Sequence, residues 1–188
     1  EDMPPRALRA LKEVQAVFCE DTRRTRQLMN HFGVSTPLLR YNEQDERSQR
    51  DILDRLLAGK NIALVSDAGL PAISDPGRRI VSLARENGVA VTALPGGTAV
   101  TTALAGSGLP ADSFVFLGFL PRTNGKQIKI LRAAAALERT IVAYESPFRV
   151  VELLATATEA IGAAARGCVV RELSHLHEEW FTGPIEEV

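Results

Sequence analysis

The chain has 188 residues, 45% of them hydrophobic and 24% charged, with a formal net charge of −1; that length buries a real core in one large or two small domains, and the neutral balance excludes a generic polyanion binder while leaving room for local basic clusters. No window approaches eighteen apolar residues without a charge, which excludes a membrane-spanning helix. Cys19 and Cys168, the only cysteines, each sit at the end of an apolar run as packing residues of a reducing compartment, and EDMPPRALRALKEV lacks the basic start and apolar centre of a signal peptide, so a cytoplasmic location is expected.

Helical and strand signals alternate along the chain. Pro4-Pro5 opens a helix with Ala7, Leu8, Leu11 and Val14 on one face. Val14 to Cys19 reads as a strand ending in Glu20-Asp21, and Asp21 or Thr22 caps the next helix, which stops at Gly33. Pro37 to Tyr41 is a weaker strand. A helix from about Asp45 to Ala58 turns Ile52, Leu53, Leu56 and Leu57 inward, and Asn61 to Val65 is a strand running into SDAGLPAISDPG, Ser66 to Gly77. Pro76 or Gly77 starts a helix with Ile80, Val81 and Ala84 inward. Val89 to Leu94 is an expected strand, followed by Pro95-Gly96-Gly97 and a helix from about Thr98 to Ser107.

Gly106 to Asp112 is the best internal break. It divides the chain into an expected N-terminal α/β domain, residues 1–112, and a C-terminal α/β domain, residues 113–188. Phe114 to Leu120 reads as a buried aromatic strand of a second sheet. A helix near Lys126 to Leu137, a strand Thr140 to Tyr144, a helix Pro147 to Ile161, a strand Cys168 to Arg171 and an antiparallel strand Glu178 to Thr182 complete it. Strands alternating with helices imply crossover units and a mostly parallel first sheet, with a mixed sheet in the second domain.

Open parallel sheets bind ligands beyond the carboxyl ends of their strands. Read there, the chain offers Glu20-Asp21, Ser66-Asp67-Ala68-Gly69, Pro95-Gly96-Gly97-Thr98, Glu145-Ser146 and Arg171-Glu172. Polar groups recur at all five places and small residues dominate the middle two, the pattern of a crevice where backbone approaches a small polar ligand. Glycine-rich dinucleotide and P-loop fingerprints are absent, as is the Gly-x-Ser-x-Gly elbow of serine hydrolases. His175 and His177 share a face of an extended segment but lack a third ligand, so no metal is expected.

Six ordered segments carry a resemblance: EDTRRTRQLMNHFG, ALVSDAGLPAISDPGRRIV, LPGGTAVTTALAGSGLP, FVFLGFLPR, YESPFRV and VVRELSHLHEEWFTG. Together they resemble the tetrapyrrole methylase superfamily, and within it a branch that modifies ribosomal RNA. The resemblance implies two α/β domains with S-adenosylmethionine in the cleft between them, a homodimer, and methylation of the ribose 2′-hydroxyl of a cytidine in the decoding region of small-subunit (16S) rRNA. The family pattern also has a strand and a Pro-Ile-Gly-Asn-Leu loop ahead of the segment matching Glu1, and a helix and strand beyond Val188. Carried over by position, the cofactor contacts are Asp67, Ala68, Gly69, Ile73, Thr98, Ala99, Tyr144, Glu145, Arg171 and Glu172, and Ser74 to Gly77 are expected to cap the following helix.

Methyl transfer to a hydroxyl asks for a base that helps the oxygen attack. Glu20, Asp21, Glu145, His175 and Glu178 are the candidates, with Glu20 and Glu145 favoured as strand-end carboxylates. RNA contact is assigned to Arg23, Arg24 and Arg26, whose charge at a helix start opposes the helix dipole, and to Arg122 and Lys126 in a basic loop. Arg47, Arg50 and Arg55 alternate with acidic residues as an ordinary exposed face. Two other readings stay open: a methylase of a small tetrapyrrole-like molecule, and a non-catalytic RNA-binding protein.

Overall fold

The computed structural model describes residues 3–67 and 69–188. They form two compact units, Glu1–Thr98 and Ala99–Val188.

The first unit is a three-stranded parallel sheet flanked by helices. After helix α1 (Pro5–Glu13), with proline at its first position, comes strand β1 (Ala16–Cys19), whose four residues are all buried. Helix α2 (Thr22–His31) leads to strand β2 (Leu38–Arg40), helix α3 (Glu46–Leu57) to strand β3 (Ile62–Leu64), and helix α4 (Arg78–Glu86) follows the long loop. The strand order is β2-β1-β3, with Val17 opposite Leu38 and Ala63. Alternation along β1 divides the core between the sheet's two faces. Ala16 and Phe18 pack with Tyr41, Ile52 and Ile80, while Val17 packs with Leu11, Met29 and Val34. A central strand covered on both faces reads as an unbroken apolar run, which is why AVFC contains no polar residue.

The capping expected of Asp21 or Thr22 is made by Asp21, and Asp45 caps α3 in the same way. Asp21 Oδ1 accepts from the Arg23 amide at 2.9 Å, and Asp45 Oδ1 from the Arg47 amide at 3.0 Å. The strand expected over Val89 to Leu94 is not formed. Its first residue still serves the end of α4, the Val89 amide donating to the Ala84 carbonyl at 2.9 Å, and no described strand lies beside residues 90–98 to form a ladder. Apolar alternation there has no partner, and without ladder hydrogen bonds it does not make a strand.

The second unit begins with helix α5 (Ala99–Ser107). Strands β4 (Phe114–Phe119) and β5 (Thr140–Tyr144) pair in parallel across helix α6 (Asn124–Ala135). Helix α7 (Val150–Ile161) precedes strands β6 (Arg166–Arg171) and β7 (Glu179–Pro184), a separate antiparallel pair. Leu120, Leu131, Ala157 and Ile185 form its core. The Trp180 ring on β7 lies directly over Gly106, tying α5 to the strands. Strand β4 is less buried than its aromatic sequence leads one to expect: Phe114 opens the strand and is exposed, and Phe119 is 62% exposed. At the strand's far end the register shifts between Phe116 and Phe119, where Gly118 takes a φ of 62°.

Candidate functional site

In the order β2-β1-β3 the crossover after β1 runs to one side and the crossover after β2 passes back to the other, and such a reversal, or switch point, opens a crevice at the carboxyl ends of β1 and β3. Glu20-Asp21 follow β1 and Ser66-Asp67 follow β3. The two ends meet: the Asp21 amide donates to Asp67 Oδ1 at 3.4 Å. Asp21 is itself engaged by Arg23, whose Nη2 donates to Asp21 Oδ2 at 2.7 Å and whose Nε donates to Oδ1 at 3.0 Å; these bonds hold the Asp21 carboxyl well below the usual carboxylate range. Glu20 is shifted the other way. Partial burial of its carboxyl raises its pKa, and Asp75, Asp67 and Glu43 add to the rise.

The loop between β3 and α4 is held by its own polar groups. Ser66 Oγ donates to Asp75 Oδ2, and the Ala72 amide donates to the Pro76 carbonyl at 3.2 Å. Gly69, Ala72, Ser74 and Gly77 have φ values of 80°, 69°, 54° and 134°. Two alanine or serine residues in the left-handed region of one short loop mark a backbone shaped against local preference. At Gly77 a Cβ would sit 2.8 Å from Leu64 Cδ2, so glycine alone lets the loop pack on β3. Ile73 is 44% exposed, and Ala68 lies outside the described residues. Capping of α4 by Ser74 to Gly77 is corrected here. Asp75 is occupied by Ser66, the N-cap Gly77 has no side chain to offer, and Glu43 Oε1 accepts from the Arg79 amide at 3.0 Å instead.

In the second unit, β5 ends in Tyr144-Glu145. The Tyr144 ring stacks edge-on against Phe116 at 5.0 Å and tilts against Phe119 at 5.5 Å. The Glu145 side chain is 5% exposed; its Oε1 accepts from the Ser146 amide at 2.8 Å and lies 3.4 Å from Arg149 Nη1. Its Oε2 is buried with no hydrogen-bond partner among the described residues. An orphaned carboxylate oxygen is costly, and it is ready to accept from a donor. Arg171 instead spans its own hairpin to Glu179 at 3.1 Å, and Glu172, at φ 53°, approaches His175 Nδ1 at 3.2 Å. Thr98 is half-buried, and Ala99 is the exposed first residue of α5.

The basic residues are on the surface. Arg23 is 88% exposed despite its ion pair, Arg24 is exposed, and Arg26 lines an open groove of about 530 Å3 with Asn30, Gly33, Val34 and Ser35. Arg122 and Lys126 are exposed around the start of α6. Sequence reasoning missed Asn42, Glu43, Gln44, Arg78 and Arg79, which surround a cavity of about 280 Å3 beside Glu20. The signal was available: Asn42 to Gln44 follow β2 as Glu20-Asp21 follow β1, and Arg78-Arg79 place positive charge at a helix start as Arg23-Arg24 do.

The family described as Tetrapyrrole (Corrin/Porphyrin) Methylases matches residues 1–188. Among curated proteins, the chain is 42% identical over 188 residues to "Ribosomal RNA small subunit methyltransferase I" of Halalkalibacterium halodurans, covering 100% of the chain and 65% of that protein. It is 41% identical over 188 residues to the protein of the same name from Thermotoga maritima (100% and 84% covered), and 44% identical over 189 residues to that of Bacillus subtilis (100% and 64%). The chain thus spans about two thirds of the length of most of these relatives. Among solved structures, diphthine synthase superposes with a TM-score of 0.75 at 15% identity, covering 98% of this chain and 74% of that one. Uroporphyrin-III C-methyl transferase from Thermus thermophilus, complexed with S-adenyl homocysteine, superposes at 0.66 and 21% identity, with 100% and 84% covered. The switch-point crevice, the shaped loop after β3 and the full-length match converge, and the chain belongs to the tetrapyrrole methylase family, on the branch that holds the ribosomal RNA small subunit methyltransferases I.

Proposed function

We propose that the chain is the core of an S-adenosylmethionine-dependent methyltransferase that methylates the ribose 2′-hydroxyl of a cytidine in the decoding region of 16S rRNA. The name shared by relatives at 41–44% identity supports the substrate class. The observation that carries the reading is the junction of Asp21 and Asp67 at the β1/β3 switch point, beside a loop whose backbone is bent for a ligand.

The cofactor presents an ammonium, ribose hydroxyls and an adenine amine, which carboxylates accept from, and Glu145 Oε2 has no donor among the described residues. The family pattern assigns to the cofactor Asp67, Ala68, Gly69, Ile73, Thr98, Ala99, Tyr144, Glu145, Arg171 and Glu172, of which Arg171 can only donate. When bound, the cofactor supplies an electrophilic methyl group to an in-line displacement.

The protein's part is to position and to move one proton. Glu20 lies beside Asp21, and its raised pKa makes its carboxylate a better proton acceptor than an ordinary glutamate. We assign it to accept the proton of the ribose hydroxyl. Glu145, fixed by Ser146 and Arg149, is assigned to cofactor orientation and stands as the second candidate base. Arg23, Arg24, Arg26, Arg122 and Lys126 are assigned to RNA phosphates, where exposed guanidinium and ammonium groups act at low desolvation cost. The expected working form is a cytoplasmic homodimer acting on small ribosomal subunits.

Incubation with methyl-labelled S-adenosylmethionine and unmodified small ribosomal subunits tests the reading. Label in the RNA is the expected result. Cofactor binding without any label in RNA would move the chain to the small-molecule methylases of its family.

A further inference from the structure

The carboxyl end of β2 opens on a polar recess contained within the first unit. Glu20, Asn42, Glu43, Gln44, Arg78 and Arg79 line about 280 Å3 of it. Its walls are fixed by bonds that join separate elements. The buried Gln49 side chain donates to the Glu43 carbonyl at 2.6 Å, the Gln44 amide donates to Asn42 Oδ1 at 3.0 Å, and Glu43 Oε1 accepts from the Arg79 amide at 3.0 Å. The turn after β2 is thereby held against the first turn of α4.

Tyr41 lies next to this turn. It is 1% exposed, and its hydroxyl has no hydrogen-bond partner among the described residues, although it is near the Ile80 amide. The charged groups that act on it most are those of the recess: Glu43, Arg79 and Glu20. The Tyr41 ring packs with Ala16, Phe18, Ile52 and Ile80, so the turn that forms the recess is anchored on the core.

The lining is chemically mixed. The guanidinium groups of Arg78 and Arg79 attract an anion, the amide end of α4 being already taken by Glu43. Two carboxylates repel a bare anion but accept from an amine, and the carboxamides of Asn42 and Gln44 both donate and accept. A nucleotide whose base carries an exocyclic amine meets both demands at once. The size agrees: a volume near the lower end of ligand pockets, about 300 Å3 and upward, admits one pyrimidine nucleotide and not a macrocycle.

We infer that this recess recognises a cytidine nucleotide extruded from the RNA, with Arg78 and Arg79 on its phosphate and Glu43, Asn42 and Gln44 reading the amine-bearing edge of cytosine. The inference rests on the RNA-methylation reading and deepens it, because it separates base selection from cofactor binding. Glu20 lines the recess and adjoins the residue that reaches Asp67, so base recognition and cofactor loop meet at the group assigned to take the proton.

Calorimetric titration of the protein with cytidine 5′-monophosphate, uridine 5′-monophosphate and inorganic phosphate tests this without requiring turnover. The cytidine nucleotide is expected to bind about tenfold or more tightly than the other two, the discrimination of one good base contact. Glu43→Gln keeps an oxygen for the Arg79 amide, so its melting temperature should match wild type while the preference for cytidine over uridine disappears. Arg78→Ala combined with Arg79→Ala should weaken both nucleotides by about tenfold. Equal binding of all three ligands, no binding of the cytidine nucleotide, or an unchanged preference in Glu43→Gln would overturn the assignment. Should cytidine discrimination hold while ribosomal subunits receive no methyl group, the methyltransferase reading fails and the nucleotide site stands.

Discussion

Asp21 plays three parts at the end of β1: its side chain caps α2 at the Arg23 amide and pairs with the Arg23 guanidinium, and its own amide donates to Asp67. Substitutions of its neighbours test the site. Asp67→Ala removes an acceptor proposed for the cofactor while leaving both strands intact, so S-adenosylmethionine affinity should fall about tenfold by calorimetry with little change in melting temperature. Unchanged affinity would remove Asp67 from the cofactor site. Glu20→Gln should reduce methylation by about 10²- to 10⁴-fold, the usual contribution of a positioned base. The pH profile carries the same claim. A base works deprotonated, and Glu20's pKa is raised by burial and by Asp75, Asp67 and Glu43. The wild-type rate should therefore fall, as the solution is acidified, at a pH above the ordinary glutamate range. An acid limb at the ordinary glutamate value would remove Glu20 from the role of base.

Two glycines show how elements are locked together. Gly77 brings the loop end onto β3, and Gly106 receives the Trp180 ring. Gly77→Ala sets a Cβ against Leu64 at a φ that disfavours side chains, and Gly106→Ala must displace an indole. Each should cost about 1–3 kcal/mol in denaturant unfolding. Gly69→Ala, with open space around the new Cβ, should cost less, about 1 kcal/mol, from its φ of 80° alone. If Gly77→Ala proves no worse than Gly69→Ala, close packing on Leu64 is not what holds the loop. The elements legible in the sequence are those whose causes are local: the Asp21 cap, the apolar run of β1 and the helix α3, although Leu57, expected inward, is exposed. What was not legible depends on distant partners. The cap of α4 comes from Glu43, and the apolar alternation at Val89 to Leu94 has no neighbouring strand. The recess was passed over because β2 is three residues long and marks its carboxyl end weakly, although the rule that found Asp67 applies equally there.

For the whole molecule, a net charge of −1 coexists with exposed basic clusters at the start of α2 and around the start of α6. Arg23→Glu combined with Arg24→Glu should lower rRNA methylation and leave S-adenosylmethionine affinity unchanged. Because Arg23 is also paired with Asp21, a loss of both properties would mark the cluster as structural. Affinity for RNA should fall steeply with salt, and less steeply in this variant, as phosphate contacts are removed. The alternation of strand and helix signals, with polar residues at the strand ends, led to an α/β protein with a polar crevice. Six ordered motifs led to the family, because together they set turn glycines and prolines and charged strand ends in an order that packing alone does not demand. The measurement that bears most directly on the central claim is nuclease digestion of 16S rRNA after reaction with the protein, followed by mass spectrometry of the nucleosides. The account predicts one new 2′-O-methylcytidine from the decoding region; a methyl group on the base, or on a different nucleoside, would contradict it.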